Sequence, residues 1–366
     1  MELMERYSIE LAVDLLGKLN LMEQLGAWRS ANELCGLLSF QPRFRVALQW
    51  ILVRLLETGC VEAQSDRGTR SYRLGKAPWE PDLKYVRTLG LNIDPANAAT
   101  LDLLDYAASA YPAVATGRQG GDHNLFGPHG IPLWLKYFNN DNLTYAVNNW
   151  VGATAAADRL SSRPTPRVLE IGAGTGSATE ILLTLLDERK LLPQLERYVV
   201  TEPNAYFRRC NQRKLAAQYP TLPLEWTTVD LDLPWSEQGI APGEFDLVYA
   251  VNVMHIAKNL LFSLNEARSA LALDGWLVIG ECLRPYDNQP MYPELMFQVL
   301  DSFTDVETDP EIRPNPGFLT AEQWRRAFLR AGFTRTEIAP DVERIREIYP
   351  HFFTGGVCGQ KTATAR

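Results

Sequence analysis

Short apolar runs and amphipathic segments alternate between residues 161 and 283 of the chain. The runs are typical of buried strands, and the segments between them have the three-to-four-residue spacing of helices. Strands that alternate with helices predict an α/β fold with a mostly parallel sheet. The predicted strands are Val168–Ile171, Arg197–Glu202, Leu224–Val229, Phe245–Val251 and Trp276–Gly280. A helix over Ala321–Ala331 and strands over Thr334–Ile338 and Gly355–Gly359 would complete a sheet of seven strands.

The first 80 residues predict a mainly helical domain that ends in a small hairpin. Residues Ile9–Leu25 follow a helical pattern, and Ser30 and Glu33 have the spacing of a capping box. A helix over Arg43–Thr58 precedes two strand-like segments that flank a polar turn. Helix, turn, helix and hairpin in this order are typical of a winged helix.

A winged helix can bind DNA or mediate protein contacts. The tract Val46–Leu56 is strongly apolar, which suits burial better than contact with a DNA groove. Arg43, Arg45 and Arg54 offer few contacts to phosphates. We therefore expect residues 1–80 to be a dimerisation or interaction domain.

The rest of the chain divides into two further predicted parts. Residues 81–160 have mostly helical patterns and are expected to form a linker and a lid. Residues 161–366 hold the α/β domain, and the segment of about 284–317 inside it is rich in proline. We expect that segment to be a cap insertion over the carboxyl edge of the sheet.

A glycine-rich turn follows the first strand of the α/β domain. Such a turn, placed between a strand and a helix, is where an α/β sheet receives a nucleotide-like ligand. Glycine lets the backbone approach the ligand closely and adopt positive φ. A dinucleotide fingerprint would need Gly or Ala at position 177, where this chain has Ser177. The glycines instead alternate, at Gly172, Gly174 and Gly176, and Glu170 precedes the first of them by two residues.

Composition narrows the classes of function. The net charge of −8 argues against a general nucleic-acid binder. Five scattered cysteines and four separated histidines give neither a disulfide framework nor metal-ligand spacing, so we expect no metal. We find no secretory signal and no apolar run of membrane-spanning length, and we expect a cytoplasmic protein without a membrane partner.

Acidic residues follow two of the predicted strands. Ligands of an open α/β sheet lie beyond the carboxyl ends of its strands, so the residues at those ends are candidates for binding. Glu202 is placed to accept hydrogen bonds from the ribose hydroxyls of an adenosine. Asp230 is placed to accept from an adenine amino group, although Asp232 competes for that role. Leu231 and Asn252 follow strand ends at the same edge and complete the set of candidates.

His255 and Glu281 are the candidates for proton transfer. The strands that precede them are neighbours in the usual strand order, about 5 Å apart, so the two side chains should lie close enough to pair. A carboxylate bonded to one ring nitrogen fixes the tautomer and makes the other nitrogen a better general base.

The pattern of Glu170 and the three glycines, E-x-G-x-G-x-G, resembles motif I of class I S-adenosylmethionine (SAM) methyltransferases. The segment from this motif to Glu281, about a third of the chain, resembles the methyltransferase domains of polyketide synthases. Those domains methylate the α-carbon of a carrier-bound β-ketoacyl chain. Residues 250–260 are similar to their A-x-N-V-L-H-A-T segment, and residues 237–246 to their E-Q-G-x-x-x-x-x-F-D stretch. The chain departs from them at Ile256-Ala257 and at Asp274-Gly275-Trp276.

The resemblance implies a SAM-dependent methyltransferase with a His–Glu dyad, which maps onto His255 and Glu281. It implies that Tyr145 is a third catalytic candidate, because the helix before the α/β domain packs over the methyl donor in those domains. The implied cofactor is SAM, bound by Glu170, Gly172, Gly174, Gly176, Glu202, Asp230, Leu231 and Asn252. Further candidates for the acceptor pocket are Trp150, Tyr286, Tyr292, Met296 and Phe297.

The N-terminal domain resembles the dimerisation domain of many small-molecule O-methyltransferases, so a homodimer is expected. The two resemblances leave two acceptor chemistries open. One is C-methylation of a β-keto or enol carbon in a small-molecule or carrier-bound polyketide-type substrate. The other is O-methylation of a natural-product hydroxyl or carboxyl group. A SAM-binding protein without methyl transfer, either an interaction protein or a catalyst of cyclisation or dehydration, is a further alternative.

Overall fold

The computed structural model describes residues 1–76 and 80–363, and their helices and strands gather into two units. The first unit comprises Met1–Tyr137 and Gln289–Asp305, and the second comprises Phe138–Asn288 and Val306–Arg366. Residues 77–79, at the end of the predicted N-terminal domain, lie outside the described residues.

The helices and strands are numbered here in chain order. The helices are α1 (Glu2–Lys18), α2 (Leu21–Gln24), α3 (Ala31–Leu37), α4 (Arg45–Glu57), α5 (Leu83–Ile93), α6 (Ala98–Ala115), α7 (Gly121–Leu125), α8 (Ile131–Tyr137), α9 (Leu143–Leu160), α10 (Ser177–Glu188), α11 (Ala205–Gln218), α12 (Leu260–Ala270), α13 (Tyr292–Phe297), α14 (Asp301–Thr304), α15 (Ala321–Arg330) and α16 (Val342–Arg346). The strands are β1 (Arg29–Ser30), β2 (Val61–Asp66), β3 (Thr69–Leu74), β4 (Arg167–Ile171), β5 (Arg197–Thr201), β6 (Leu224–Thr227), β7 (Phe245–Val251), β8 (Leu271–Arg284), β9 (Leu319–Thr320), β10 (Arg335–Ala339) and β11 (Thr354–Gln360).

The first unit is mainly helical, with a small antiparallel sheet in the order β1-β3-β2. Ser30 and Glu33 form the predicted capping box at the start of α3. The helix predicted over Ile9–Leu25 begins earlier, at Glu2, and is interrupted at Asn20, whose left-handed φ of 55° breaks the helical path. Helices α3 and α4 and the β2–β3 hairpin follow in the predicted order, and the winged-helix assignment remains a prediction.

Residues 289–305 belong to the first unit, although we expected them within a cap of the α/β domain. The main-chain N–H of Tyr292 donates to the Glu5 carboxylate over 3.0 Å. The indole N–H of Trp50 donates to Glu294 over 3.0 Å, and the Tyr111 hydroxyl donates to the carbonyl of Leu295 over 2.8 Å. Since Glu294 is fully buried, these polar contacts tie α13 firmly to helices α1, α4 and α6.

The second unit is built on a sheet with the strand order β10-β11-β8-β7-β4-β5-β6. The strands from β8 through β6 pair in parallel, whereas β11 is antiparallel to both β8 and β10. The short β9 pairs with the far end of β8. The α/β class and the Rossmann-like, seven-stranded sheet predicted from the sequence are therefore confirmed.

Helices cover both faces of this sheet. Successive residues of a strand point to opposite faces, so each central strand supplies apolar side chains to two hydrophobic clusters. Leu169 and Val248 lie in the cluster beneath α12 and α15, whereas Val168 and Leu247 lie in the cluster beneath α9 and α10. This double coverage explains why the sequence shows continuous apolar runs rather than alternation.

Strand β8 extends beyond the predicted Trp276–Gly280 at both ends. At its carboxyl end, antiparallel pairing with β11 continues past the end of β7. The last pair between β7 and β8 joins Val251 and Gly280, while β11 still pairs with β8 at Cys282. Glu281 therefore lies inside a strand but just beyond the point at which the neighbouring strand stops.

Among the described residues, no helix is both long enough and apolar enough to cross a membrane.

Candidate functional site

The glycine-rich turn between β4 and α10 has the backbone that the sequence predicts. Its three glycines have φ values of 65°, 56° and 83°. A Cβ at Gly172 would lie 2.6 Å from the Val253 side chain, and one at Gly176 would lie 2.5 Å from the Asn211 amide oxygen. A Cβ at Gly174 would meet no atom of the described residues within 4 Å. The turn is therefore closely packed on both sides of Gly174 and open over Gly174 itself.

Glu202 stands beside this open position. It follows β5, and its carboxylate accepts hydrogen bonds from the main-chain N–H of Gly174 over 2.9 Å and from that of Asn204 over 2.7 Å. Its side chain is buried, and burial raises the pKa of Glu202 above its ordinary value. The structure thus brings together two of the predicted cofactor-binding residues, Gly174 and Glu202.

Glu170 has a different environment from Glu202. It lies within β4, and the alternation of side chains along that strand points it toward α9 and α10. Its carboxylate accepts a hydrogen bond from the Tyr198 hydroxyl over 2.7 Å, and it is 1% exposed. Burial raises the pKa of Glu170 to about 7. Contact between Glu170 and a cofactor remains a prediction.

The remaining predicted cofactor residues follow β6 and β7. Asp230 is exposed, and its carboxylate accepts a hydrogen bond from the main-chain N–H of Asp232 over 2.9 Å. Leu231 packs against the core, and its carbonyl accepts from the Ser263 hydroxyl over 2.9 Å. Asn252 has a left-handed φ of 54°. Such a backbone is uncommon outside glycine, and Asn is among the residues that tolerate it best.

His255 and Glu281 form the contact that the strand order predicts. The ring Nδ1 of His255 lies 2.9 Å from Oε2 of Glu281, and the main-chain N–H of His255 donates to Oε1 over 3.3 Å. His255 lies on a short 3₁₀ turn, Met254–Ile256, immediately after β7. The two residues are 3% and 1% exposed, so little water competes for the contact. With Glu281 ionised, Nδ1 carries the proton, and Nε2 is left as the basic nitrogen.

The ring of Phe318 packs against His255. The two ring centroids are 4.6 Å apart, with an angle of 53° between the ring planes. Phe318 is itself 1% exposed and directly precedes β9. Its ring therefore restricts the rotation of the imidazole that Glu281 orients.

Tyr145 lies near the start of α9, which follows a segment attached to the glycine-rich turn. Its ring centroid lies 5.3 Å from that of Phe138. The Phe138 carbonyl accepts hydrogen bonds from the hydroxyls of Thr175 and Ser177, over 2.7 Å and 2.5 Å. Burial raises the pKa of Tyr145 well above its ordinary value, so the phenol stays protonated at neutral pH.

The residues expected around an acceptor do not share one environment. Trp150 and Tyr286 belong to the second unit and are 43% and 63% exposed. Tyr292, Met296 and Phe297 belong to the first unit. Tyr292 and Met296 are fully buried there, and Phe297 stacks on Trp134.

Three residues near these side chains were not predicted from the sequence. Thr201 accepts a hydrogen bond from the main-chain N–H of Gly172 over 3.3 Å, and Phe318 packs on His255. Arg313 is buried and donates to the carbonyl that follows the His255 turn. The position of Thr201 at the end of a predicted strand was a usable signal, whereas the proline-rich sequence around Arg313 and Phe318 gave none.

Comparison with known proteins finds a methyltransferase domain and polyketide synthase relatives over parts of the chain. Residues 169–277 match the family model described as a methyltransferase domain. The chain is 28% identical over 241 residues to the polyketide synthase PksR of Bacillus subtilis (strain 168). That match covers 64% of the chain but only 9% of PksR, so the chain corresponds to a small part of that relative.

Solved structures share the fold of the chain over 99% of its length. The CurJ carbon methyltransferase is 25% identical, with a TM-score of 0.81 over 99% of this chain and 92% of that one. The DszA carbon methyltransferase, at 24% identity, has the same fold, with a TM-score of 0.77 over 99% of this chain and 90% of that one.

The sheet order, the glycine-rich turn and the family match define a class I methyltransferase, and the chain is a SAM-dependent enzyme of that class. Within the class it is similar to the CurJ carbon methyltransferase and, over part of its length, to the polyketide synthase PksR, in agreement with the resemblance seen in the sequence.

Proposed function

We propose that the protein transfers a methyl group from SAM to the α-carbon of a β-ketoacyl thioester. The observation that carries this proposal is the His255–Glu281 pair, buried at the carboxyl edge of β7 and β8 with 2.9 Å between Nδ1 and Oε2. The likeness to the CurJ carbon methyltransferase supports the choice of carbon as the acceptor atom.

The residues around Gly174 fit a SAM molecule. The backbone at Gly174 is unobstructed, and the Glu202 carboxylate beside it is an acceptor for the ribose hydroxyls. Asp230, Leu231 and Asn252 stand at the same edge of the sheet and are the candidates for contacts to the adenine and to the methionine part. When bound, SAM supplies an electrophilic methyl group on a sulfonium sulfur.

In the proposal, Glu170 stabilises the strand that precedes the glycine-rich turn. Its burial and its bond with Tyr198 fix the end of β4, from which the glycines continue. Removal of its charge should therefore affect the stability of the strand more than the affinity for SAM.

His255 is the general base in the proposed reaction. Its Nε2 takes the proton from the α-carbon between the two carbonyl groups of the acceptor. The electron pair of the broken C–H bond becomes an enolate and would then form the new carbon–methyl bond. The sulfur–methyl bond would break in the same step, with its electron pair left on the sulfur of the departing neutral thioether. Glu281 holds the ring through Nδ1 and stabilises the positive charge that the ring acquires. General-base catalysis of this kind contributes on the order of 10²–10⁴-fold to the rate.

Tyr145 is proposed as a hydrogen-bond donor at the same site. Because burial raises the pKa of Tyr145, the phenol keeps its proton at neutral pH and can donate to an enolate oxygen. A Tyr145→Phe variant should lower kcat and leave the affinity for SAM nearly unchanged.

The carrier and the acceptor chain are also part of the proposal. The relatives are polyketide synthases, and this chain covers 9% or less of their length. On the basis of that likeness, the proposed acceptor is bound to a carrier. A β-ketoacyl group is a suitable acceptor, since its two carbonyls increase the acidity of the α-carbon that His255 deprotonates in the proposed reaction.

The test compares acceptors directly. The protein and SAM are incubated with one class of acceptor at a time: β-ketoacyl thioesters, phenols or carboxylic acids. The products are analysed by mass spectrometry and NMR. A new carbon–methyl signal on a thioester supports the proposal. Methylation of a phenol or an acid alone would establish O-methylation instead and refute carbon as the acceptor.

A further inference from the structure

Two buried polar side chains, one on α9 and one on β11, lie at the carboxyl edge of the sheet. Asn148 of α9 is 2% exposed, and Thr354, the first residue of β11, is 1% exposed. Neither the Asn148 carboxamide nor the Thr354 hydroxyl forms a hydrogen bond within residues 1–76 and 80–363. Burial of a polar group without a partner costs free energy, so these two groups need a physical reason to be there.

Helix α9 carries Asn148 to the end of β8. Near its C-terminal end, the guanidinium of Arg159 lies 4.9 Å from the ring centroid of Trp276. Two turns earlier, the Cα of Gly152 lies 3.2 Å from the position of a Cβ at Gly280, and the main-chain oxygen of Asn148 lies 3.3 Å from it. The helix therefore runs antiparallel to β8. Because helical side chains lean toward the N-terminus, the Asn148 carboxamide lies beyond Gly280, at the last residues of the strand.

Thr354 stands over the same strand end and on the same face. It is paired with Cys282 in the antiparallel register of β8 and β11, so the two side chains share a face. Two residues further along β11, a Cβ at Gly356 would lie 2.9 Å from the Ala155 side chain, which shows that this face is covered by α9. The Cys282 thiol contacts the Asn252 carboxamide over 3.6 Å. The hydroxyl and the carboxamide of α9 thus belong to a polar region on one side of the end of β8.

The His255–Glu281 dyad lies on the other side of that strand end. Odd-numbered residues of β8 lie in the cluster beneath α12 and α15, and even-numbered ones in the cluster beneath α9 and α10. Glu281 therefore turns away from α9, whereas Cys282 turns toward it. Strand β7, which leads to His255, stops one residue pair before Glu281. An acceptor at Nε2 of His255 would have the dyad on one side and the polar region on the other.

We propose that Asn148 and Thr354 determine which acceptor is used, by binding the keto oxygen on the β-carbon of the acyl chain. This inference rests on the proposed function and extends it, because it assigns a site to the second oxygen of the acceptor. The Asn148 amide N–H and the Thr354 hydroxyl donate to the keto oxygen, and Tyr145 remains for the thioester oxygen. Tyr145 is partly exposed, which suits the end of the acceptor that leads to the carrier, and the buried pair suits the far end.

The same contacts assist the reaction. When the proton leaves the α-carbon, the negative charge of the enolate is shared between the two oxygens. Hydrogen bonds to both oxygens then become stronger than they are in the neutral acceptor. An acyl chain without the β-oxygen would leave the buried Asn148 and Thr354 groups unpaired, and the site would disfavour it.

The first measurement needs no acceptor. Asn148→Leu and Thr354→Val replace the polar groups by apolar groups of similar shape. The matched control is Asn149→Leu, because Asn149 is also fully buried on α9 but its amide N–H donates to Asn140 over 2.9 Å. The midpoint of chemical denaturation should be unchanged or higher in the two test variants and lower in the control. A fall in both test variants as large as in the control would overturn the proposal, since the groups would then be structural.

The second measurement is the preference for a β-oxygen. The acetoacetyl and butyryl thioesters of N-acetylcysteamine differ in the oxygen on the β-carbon. Their Kd values are measured by calorimetry with S-adenosylhomocysteine in place of SAM, so that no methyl transfer occurs. The wild type should bind the acetoacetyl thioester about tenfold more tightly, and each test variant should lose most of that preference. Equal affinities in the wild type, or a full preference in both variants, would overturn the proposal.

Methyl transfer by the wild type separates this proposal from the proposed function. If the variants lose the preference but the wild type methylates no acceptor, the proposed function is refuted and the binding role of Asn148 and Thr354 stands. If the wild type methylates a β-ketoacyl thioester and both variants keep the preference, that binding role alone is refuted.

Discussion

Glu281 uses both of its carboxylate oxygens on one residue, His255. Oε2 contacts the ring Nδ1 at 2.9 Å, and Oε1 accepts from the main-chain N–H at 3.3 Å. The carboxylate therefore fixes the backbone of the 3₁₀ turn as well as the orientation of the ring. Loss of Glu281 should disturb both the position and the tautomer of His255.

We predict that His255→Ala lowers kcat by on the order of 10²–10⁴-fold, because the acceptor loses the general base that we propose. The affinity for SAM, measured by calorimetry, should change little, because His255 is not among the residues proposed to contact SAM. Glu281→Gln should give a smaller loss of kcat than His255→Ala. The control is His351→Ala, since His351 is exposed. Full turnover in His255→Ala would exclude the general-base role.

We predict that Gly174→Asp abolishes SAM binding in calorimetry. The new side chain would enter the open space over the turn and place a carboxylate next to Glu202. The matched control is Gly239→Asp, because Gly239 also has a positive φ, 87°, and an unobstructed Cβ position. Both variants then carry the strain of a positive φ, and loss of binding in both would point to unfolding rather than to a blocked site.

We predict that Glu170→Gln changes how stability depends on pH. The pKa of Glu170 rises from 4.5 to about 7 on folding, so between these values the folded state holds a proton that the unfolded state has released. The free energy of unfolding of the wild type should therefore decrease as pH rises from 4.5 to 7, by on the order of 3 kcal/mol. The variant cannot release that proton, and it should lack this decrease in denaturant melts.

The comparison requires melts of both proteins at several pH values. The difference in stability should favour the variant most above pH 7, since the Gln amide can still accept from Tyr198 without carrying a charge. Parallel curves for the two proteins across this range would show that folding does not raise the pKa of Glu170.

We predict that Trp50→Phe destabilises the protein by about 1–3 kcal/mol, because the buried Glu294 carboxylate loses a hydrogen-bond donor. The control is Trp28→Phe, at a partly exposed tryptophan whose ring contacts Arg73 at 4.6 Å. That control should change the free energy of unfolding by less than about 0.5 kcal/mol. Equal losses in chemical denaturation would mean that indole size, not the contact with Glu294, is responsible.

The central sheet and the His255–Glu281 contact could be predicted because each depends on a local pattern and on one general rule. Apolar runs identify the strands, and parallel strands bring their carboxyl ends to one edge. His255 and Glu281 are 26 positions apart in sequence and still meet, because β7 and β8 are neighbours.

Outside regular helices and strands, the sequence pattern does not indicate which side chains are buried. Arg313 and Phe318 lie in a proline-rich segment, where neither helical nor strand spacing indicates which side chains turn inward. The membership of residues 289–305 in the first unit depends on contacts with Glu5 and Trp50, which are more than 240 positions away. Such pairings follow from the packing of the whole chain and leave no local signal.

The return of residues 289–305 to the first unit makes both units discontinuous in the gene. An exchange of the α/β unit between related enzymes at a single crossover near residue 138 would carry α13 along with it. The buried side chains of Tyr292, Leu295 and Met296 would then meet a foreign partner surface. Chimeras of these enzymes therefore need three junctions, near residues 138, 289 and 306, so that each helix travels with the residues that evolved around it.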